Sequence, residues 1–378
     1  MIIALQLFLL LLIAGSVVYY LWCAIATGLF FAVTKEEKGT PCQPVSILIP
    51  VCGVDEGAWE NWESFCQQDC EHYEVVFGVM NPKDQAVPIL EKLVAKFPHL
   101  ARFIFCQEVR GINYQVSNLM HLLEAAQHEV VIFTDSDMRV KPDYLSRVTA
   151  PLMDLSIGVV TCGYVVHDPK YLVTALASLG QCIDFIPSVL VACNLEGGMQ
   201  YAFGSTIATR KKVLEEIGGL KALVNRVASD YHIGRKVVAA GYQVKLSQYV
   251  LGTDGGRESF LSLFRRELRW SRSCRWLRGS VYYSLVFIHG TVYCIPLLLL
   301  SGGDHWAIIV CCVTITVRLI EALVAIYNIG CPKLVRWLWA LPIRDVMSFV
   351  IFVTAAFGQK IYWRGRQLQI GVGGVLTE

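Results

Sequence analysis

From Ile2 to about Phe31 no side chain carries a charge; the first is Lys35. A run of that length crosses a bilayer as a helix, because hydrocarbon offers no partner to an unsatisfied backbone group. A signal peptide would place basic residues ahead of its apolar core, and neither Lys nor Arg precedes this one. Residues 1–33 are therefore expected to stay as an anchor. The Lys35-Glu36-Glu37-Lys38 flank puts the following end on the cytoplasmic side by the positive-inside rule. A mean hydropathy of +0.48 agrees with a membrane protein.

Three further apolar stretches close the chain: Val281–Leu300, Trp306–Ile329 and Leu334–Phe357. The second carries Arg318 and Glu321, three apart, which share a helix face and can pair. The third is interrupted by Pro342, Arg344 and Asp345 and is basic at both ends, which reads either as a re-entrant hairpin or as one kinked span. The net charge of +2 leaves no nucleic-acid footprint. The fourteen cysteines form no C-x-x-C pair or zinc-like pattern. Cys66 and Cys70 are the nearest pair in a polar setting, and in a cytosolic domain most of these thiols would be reduced.

Residues 43–257 form one domain's length of sequence. Strand-like runs at Val45–Pro50, Tyr73–Val79, Ala101–Phe105 and Val130–Thr134 alternate with helix-like runs at Glu56–Gln67, Gln85–Phe97 and Gly111–Ala126. That alternation predicts an α/β fold with a doubly wound, mostly parallel sheet. Val159–Cys162 and Gly204–Thr209 read as later strands, and Leu172–Leu190 and Lys211–Ile217 as helices. The usual dinucleotide, P-loop and α/β-hydrolase signatures are absent from this stretch.

Ligands in such folds sit at the carboxyl ends of the strands. There the run Val130-Val131-Ile132-Phe133-Thr134 delivers Asp135-Ser136-Asp137. Two carboxylates at one strand end suit a hard divalent cation carrying a phosphate. Asp and Ser are equally ordinary turn residues after a strand. Asp230, in Ser229-Asp230-Tyr231, precedes a plausible helix and by itself reads as a helix N-cap. Residues 257–278 hold seven arginines and no lysine, with Phe260, Leu263 and Phe264 on another face. That pattern describes an amphipathic helix at the bilayer surface, over residues 258–280, whose guanidinium groups suit phosphate. Transmembrane or re-entrant helices would then occupy 281–360, with a tail over 361–378.

Taken in order, these pieces are Pro50-Val51-Cys52-Gly53, Gly111-Ile112-Asn113 with Asn118, Asp135-Ser136-Asp137, Ser229-Asp230-Tyr231, Arg266-x-x-Arg269-Trp270, and Trp363-Arg364-Gly365-Arg366. In this order the chain resembles membrane-bound inverting glycosyltransferases of family 2 type. The resemblance is strongest to the ceramide glucosyltransferase branch and the bacterial hopanoid glycosyltransferases that share its pattern. It implies a nucleotide-diphospho-sugar transferase (GT-A type) fold and a UDP-sugar donor. It also implies Mg²⁺ or Mn²⁺ on Asp137 and Asp135, and inverting transfer of the sugar, glucose, to the hydroxyl of a membrane lipid, ceramide or a hopanoid. Asp230 would be the general base, with Arg266, Arg269 and Trp270 beside it in catalysis. Pro50, Gly53, Asn81, Gly111, Asn113, Asn118 and Asp135 would bind the donor. The donor is cytosolic, so the domain would face the cytosol, in a bacterial inner membrane or a Golgi-type membrane.

Two positions depart from the family pattern. Asn81 stands where an Asp contacts the nucleobase, with Asp84 three residues on, and Gln115 replaces a Lys. Three other functions compete: hopanoid N-acetylglucosaminyl transfer, processive polysaccharide synthesis, and a nucleotide-sugar-binding scaffold without catalysis. The sequence carries no signal for oligomeric state.

Overall fold

The computed structural model describes residues 1–32, 42–363 and 365–378; the Lys35–Lys38 flank and Arg364 lie outside the described residues. The chain divides into two compact units. One comprises Lys35–Val165, Cys193–Gly256 and Gly374–Glu378, and the other Met1–Thr34, Val166–Ala192 and Arg257–Gly373.

The first unit is built on a seven-stranded sheet. Its strands are β1 (Val45–Val51), β2 (Tyr73–Val79), β3 (Ala101–Phe105), β4 (Val130–Phe133), β6 (Ile157–Thr161), β8 (Ile207–Arg210) and β9 (Gln243–Leu246), in the order β3-β2-β1-β4-β8-β6-β9. The pairs β1–β2, β1–β4, β2–β3 and β6–β9 are parallel, whereas β8 runs antiparallel to both β4 and β6. The mostly parallel α/β sheet expected from the sequence is thus present. Its central strands are apolar on both faces because helices cover both, and Val45, Ile47, Leu48, Ile49, Val75, Val76 and Phe77 are wholly buried. Each such side chain contributes about 1.5–3 kcal/mol relative to exposure.

The helices Ala58–Phe65, Val87–Lys96, Tyr114–Ala125 and Lys211–Glu216 lie within the expected helical stretches, trimmed at their ends, while Ser229–Ala239 starts one residue before Asp230, which was expected to precede it. One buried carboxylate is built into the sheet. Glu74 accepts from Ser46 Oγ at 2.6 Å, from Gln127 N at 2.7 Å and from Arg102 Nη2 at 3.0 Å. Burial alone would raise its pKa, but these donors hold it below the ordinary value. A second, three-stranded sheet joins β5 (Met138–Arg139), β10 (Leu251–Thr253) and β7 (Tyr164–Val165).

A Cys42–Cys70 disulfide ties the residues before β1 to those before β2, with Cα atoms 5.7 Å apart. Cys66, the neighbour singled out in the sequence, is buried and outside any disulfide, as are the remaining described cysteines.

The second unit is helical. Among the described residues, five helical stretches are long and apolar enough to cross a membrane: Ile2–Ala32, Leu172–Glu196, Phe260–Leu300, His305–Ile329 and Pro332–Ala355. The stretch Val166–Ala192, placed by sequence within the 43–257 domain, falls in this unit. Small residues let its helices approach closely: a Cβ on Gly290 would stand 2.5 Å from Ser16 Cβ. Tyr20 OH donates to the Ile288 carbonyl at 2.6 Å and Gln6 Nε2 to the Leu300 carbonyl at 2.9 Å. Arg318 and Glu321 do pair, at 2.9 Å. The interruption expected near Pro342 falls earlier. Residues Pro332–Ala340 form a 3-10 segment, and the α-helix starts at Leu341 with Pro342 in its first turn, where a missing N–H costs nothing. The tail opens as an antiparallel hairpin of β11 (Lys360–Trp363) and β12 (Arg366–Ile370).

Candidate active site

Thr134 follows strand β4, and its Oγ1 donates to the Ser205 carbonyl at 2.8 Å. The half-buried Asp135-Ser136-Asp137 follows. Its backbone is pinned from outside: Trp62 Nε1 donates to Ser136 O at 3.0 Å, and Thr253 Oγ1 to Asp137 O at 2.8 Å. The loop therefore keeps its shape through its carbonyls. One Asp135 oxygen accepts from Gln115 Nε2 at 2.8 Å. The residue that departs from the family's Lys thus touches the first carboxylate of the pair.

The other Asp135 oxygen faces Gly204. A Cβ on that glycine would stand 3.5 Å from Asp135 Oδ2 and 3.5 Å from Asp230 Oδ2. Gly204 N donates to Asp230 Oδ2 at 2.8 Å. Two carboxylates distant in sequence thus meet around one glycine that carries no side chain between them. The turn bearing Gly204 is held by buried threonine: Phe203 N donates to Thr161 Oγ1 at 2.8 Å, and that hydroxyl donates to Thr206 O at 2.8 Å.

Asp230 does not cap its helix. The cap position of Ser229–Ala239 is Ala228, with no side-chain bond, and Asp230 lies in the first turn reaching out to Gly204. Ala228 has φ 49°, the sole positive φ among described non-glycine residues. Such a left-handed conformation stores on the order of 1–3 kcal/mol. Gly234, one turn after Asp230, allows the helix to touch the preceding loop; a Cβ there would stand 2.4 Å from Tyr201 Cα.

The Gly111-Ile112-Asn113 motif grips the segment before this helix. A Cβ on Gly111 would lie 2.6 Å from the Val224 carbonyl oxygen. Ile112 N donates to Asn225 Oδ1 at 3.0 Å, and Asn113 Nδ2 to Arg226 O at 2.8 Å. Asn113 also caps the Tyr114–Ala125 helix by accepting from Val116 N. Asn118 is buried and donates to Gly78 O at 2.8 Å, alongside β2 where Gly78 pairs with Pro50.

Gly53 N donates to both Asp84 oxygens, at 3.1 and 3.0 Å, joining the ends of β1 and β2. Asn81 is exposed, and its Oδ1 accepts from Lys83 N within its own turn. At this strand end the carboxylate bound to the Gly53 amide is Asp84.

Among the described residues no group of three or more His, Cys, Asp and Glu side chains forms a cage for a metal ion. The residues fit a hard cation in a narrower sense. Such ions are often held by one or two carboxylates, with phosphate oxygens and water completing the shell. Asp135 and Asp137 are the two carboxylates that the sequence brings to this strand end.

Arg266, Arg269 and Trp270 gather in the other unit, on the Phe260–Arg278 helix that Ser259 caps. The Arg266 and Arg269 guanidinium groups lie 5.5 and 5.9 Å from the Trp270 ring centre, and Arg269 lies 5.5 Å from the Trp363 ring. Sequence reasoning missed Gly204 as a site residue. Its one local mark is a glycine set between aromatic residues and Ser205-Thr206.

The sequence profile of glycosyl transferase family 21 matches residues 8–376. Ceramide glucosyltransferase 1 of Caenorhabditis elegans is 23% identical over 354 residues, covering 90% of this chain and 74% of that protein. Ceramide glucosyltransferase 3 of the same organism is 23% identical over 372 residues, with 90% and 75% covered. Among solved structures, the mannosyltransferase PcManGT from Pyrobaculum calidifontis, in complex with GDP-Man and Mn2+, matches with a TM-score of 0.50 at 18% identity. The match covers 91% of this chain and 97% of that one. This likeness shows the GT-A fold.

Proposed function

Since the chain belongs to glycosyl transferase family 21, and with it to the hexosyltransferases, we propose that it moves glucose from UDP-glucose to the hydroxyl of ceramide, with inversion. The observation that carries this is the seat of Asp230: its carboxylate rests on the Gly204 amide, facing the same point as Asp135. The names and coverage of the Caenorhabditis elegans proteins support the choice of sugar and lipid.

In this reading Asp230 takes the acceptor hydroxyl's proton as that oxygen bonds to the anomeric carbon and the bond to UDP breaks. A single displacement turns an α-linked donor into a β-glycoside and needs no covalent nucleophile. Asp135 and Asp137 would hold Mg²⁺ or Mn²⁺, which would offset charge on the departing diphosphate. Gln115 orients Asp135, and the Gly111–Asn113 grip fixes the loop that delivers Asp230. Arg266, Arg269 and Trp270 serve the donor diphosphate or the acceptor head, as arginine does wherever phosphate is held. The catalytic unit faces the cytosol, where the donor is.

The test is transfer by the purified full chain in phospholipid vesicles. Labelled UDP-glucose, UDP-galactose or UDP-N-acetylglucosamine is offered with ceramide or a hopanoid. Glucosylceramide is the expected product. Sugar transferred to the hopanoid alone, or a polymer, would replace this reading, and no product with any pair would remove it.

A further inference from the structure

Glu267 lies between Arg266 and Arg269 on the Phe260–Arg278 helix, so whatever holds Glu267 also sets the rotation of that helix. Arg344 Nη1 donates to both Glu267 oxygens, each at 2.7 Å. Its Nε donates to Asp184 Oδ2 at 3.2 Å. Asp184 Oδ1 accepts from Arg318 Nη2 at 2.6 Å, and Arg318 continues to Asp345 at 2.8 Å and to Glu321 at 2.9 Å. One chain of charges therefore joins the arginine-rich helix to Leu341–Ala355, to His305–Ile329 and to the segment that carries Asp184.

Two features show that the helices are shaped around this chain. The segment Gly180–Phe185 is a π-helical turn, a rare widening that occurs mostly at functional sites. A Cβ on Gly180 would stand 2.3 Å from Arg344 Cζ, so the glycine leaves room for the guanidinium. The side chains are nearly closed off, at 2% exposure for Arg318 and 8% for Arg344. Buried ion pairs of this kind are poor sources of stability, since apolar packing of equal volume does as well or better. What they do supply is direction: a charge-assisted bond fixes one rotation and one register. At the outer end of the chain, that register is the one carrying Arg266, Arg269 and Trp270.

We propose that Arg344 and Glu267 are positioning residues for sugar transfer, locking the arginine-rich helix so that Arg266, Arg269 and Trp270 keep one arrangement. The inference rests on the reading that those three side chains serve the reaction.

The test uses the full chain in vesicles with E267Q, R344Q, the double variant E267Q/R344Q, and D168N as a control that breaks an exposed ion pair to Lys333 in the same unit. E267Q and R344Q are each expected to lower kcat about 10- to 100-fold, as loss of remote positioning does, with donor and acceptor KM changed less than about twofold. The double variant is expected to be no worse than the poorer single one, because the two act as a unit. D168N should match wild type, as expected for an exposed pair. Amide hydrogen exchange over residues 260–278 should speed up in E267Q and stay unchanged over 305–329. Wild-type kcat in E267Q, single losses that multiply in the double variant, or unaltered exchange over 260–278 would each overturn the proposal. If wild type transfers no sugar, the functional reading fails and the exchange result alone judges the clamp.

Discussion

Asp135 and Asp230 share Gly204: the Oδ2 atom of each lies 3.5 Å from the place a Gly204 side chain would occupy, and the Gly204 amide bonds Asp230. The two carboxylates come from β4 and from the first turn of the Ser229–Ala239 helix, and a short turn held by Thr134 and Thr161 sets their spacing.

Asp230→Asn removes the proposed base and keeps the shape. Transfer to ceramide should fall about 10²- to 10⁴-fold in kcat, the usual contribution of a positioned base. Binding of UDP, followed by calorimetry, should stay within about twofold, since the amide can still accept from the Gly204 N–H.

Gly204→Ala tests the shared space. The new methyl meets both oxygens at ordinary van der Waals distance, so the thermal midpoint should barely move. The methyl nevertheless occupies the gap between the carboxylates. A kcat loss of about tenfold or more, as misplacement near reacting groups produces, is expected. An unchanged rate would mean that nothing reacts at that point.

Removal of divalent metal with EDTA should abolish transfer, and Mg²⁺ or Mn²⁺ should restore it. In Asp137→Asn the ion concentration giving half-maximal rate should rise, because one carboxylate ligand is lost. Full activity in EDTA would remove Asp135 and Asp137 as ligands.

Gln115→Lys restores the charge that the family pattern has. Gln115 Nε2 already reaches Asp135 at 2.8 Å, so a Lys ammonium would sit beside the same carboxylate. Attraction to a diphosphate should lower the UDP-glucose KM several-fold at low salt, and the gain should shrink as salt screens it. An unchanged KM at every salt concentration would separate Gln115 from the donor.

His232, two residues after Asp230, is pushed down to about 4 by burial, with Arg226 and Lys236 adding to the effect. Between that value and the ordinary value of 6.5, the unfolded chain binds a proton that the folded chain does not. Stability therefore rises with pH through this window and is lost as pH falls from 6.5 toward 4. Thermal midpoints measured across the window should show that slope, and His232→Gln should flatten it.

Periodicity alone made much of the fold legible. The buried runs of β1, β2 and β4 and the alternation with helices follow from local patterns of burial, which a sequence displays directly. Val166–Ala192 was harder. Its apolar helix reads equally as a domain core or as a membrane segment, and only its packing assigns it to the helical unit. The Arg318–Glu321 pair was readable from spacing on one helix, whereas Asp184, Arg344 and Glu267 lie on other helices and no spacing rule reaches them.

Local residue patterns display the chemistry on offer: a charge-free apolar helix, carboxylates at the end of a buried strand, and an arginine-rich helix. Tertiary structure decided which groups meet. Asp230 reads as a helix cap from its neighbours, because capping is a local preference. It becomes the partner of Asp135 only because the Gly111–Asn113 grip and the left-handed Ala228 aim its helix at Gly204. That meeting depends on close approach between segments far apart in the chain, and close approach is a property of packing.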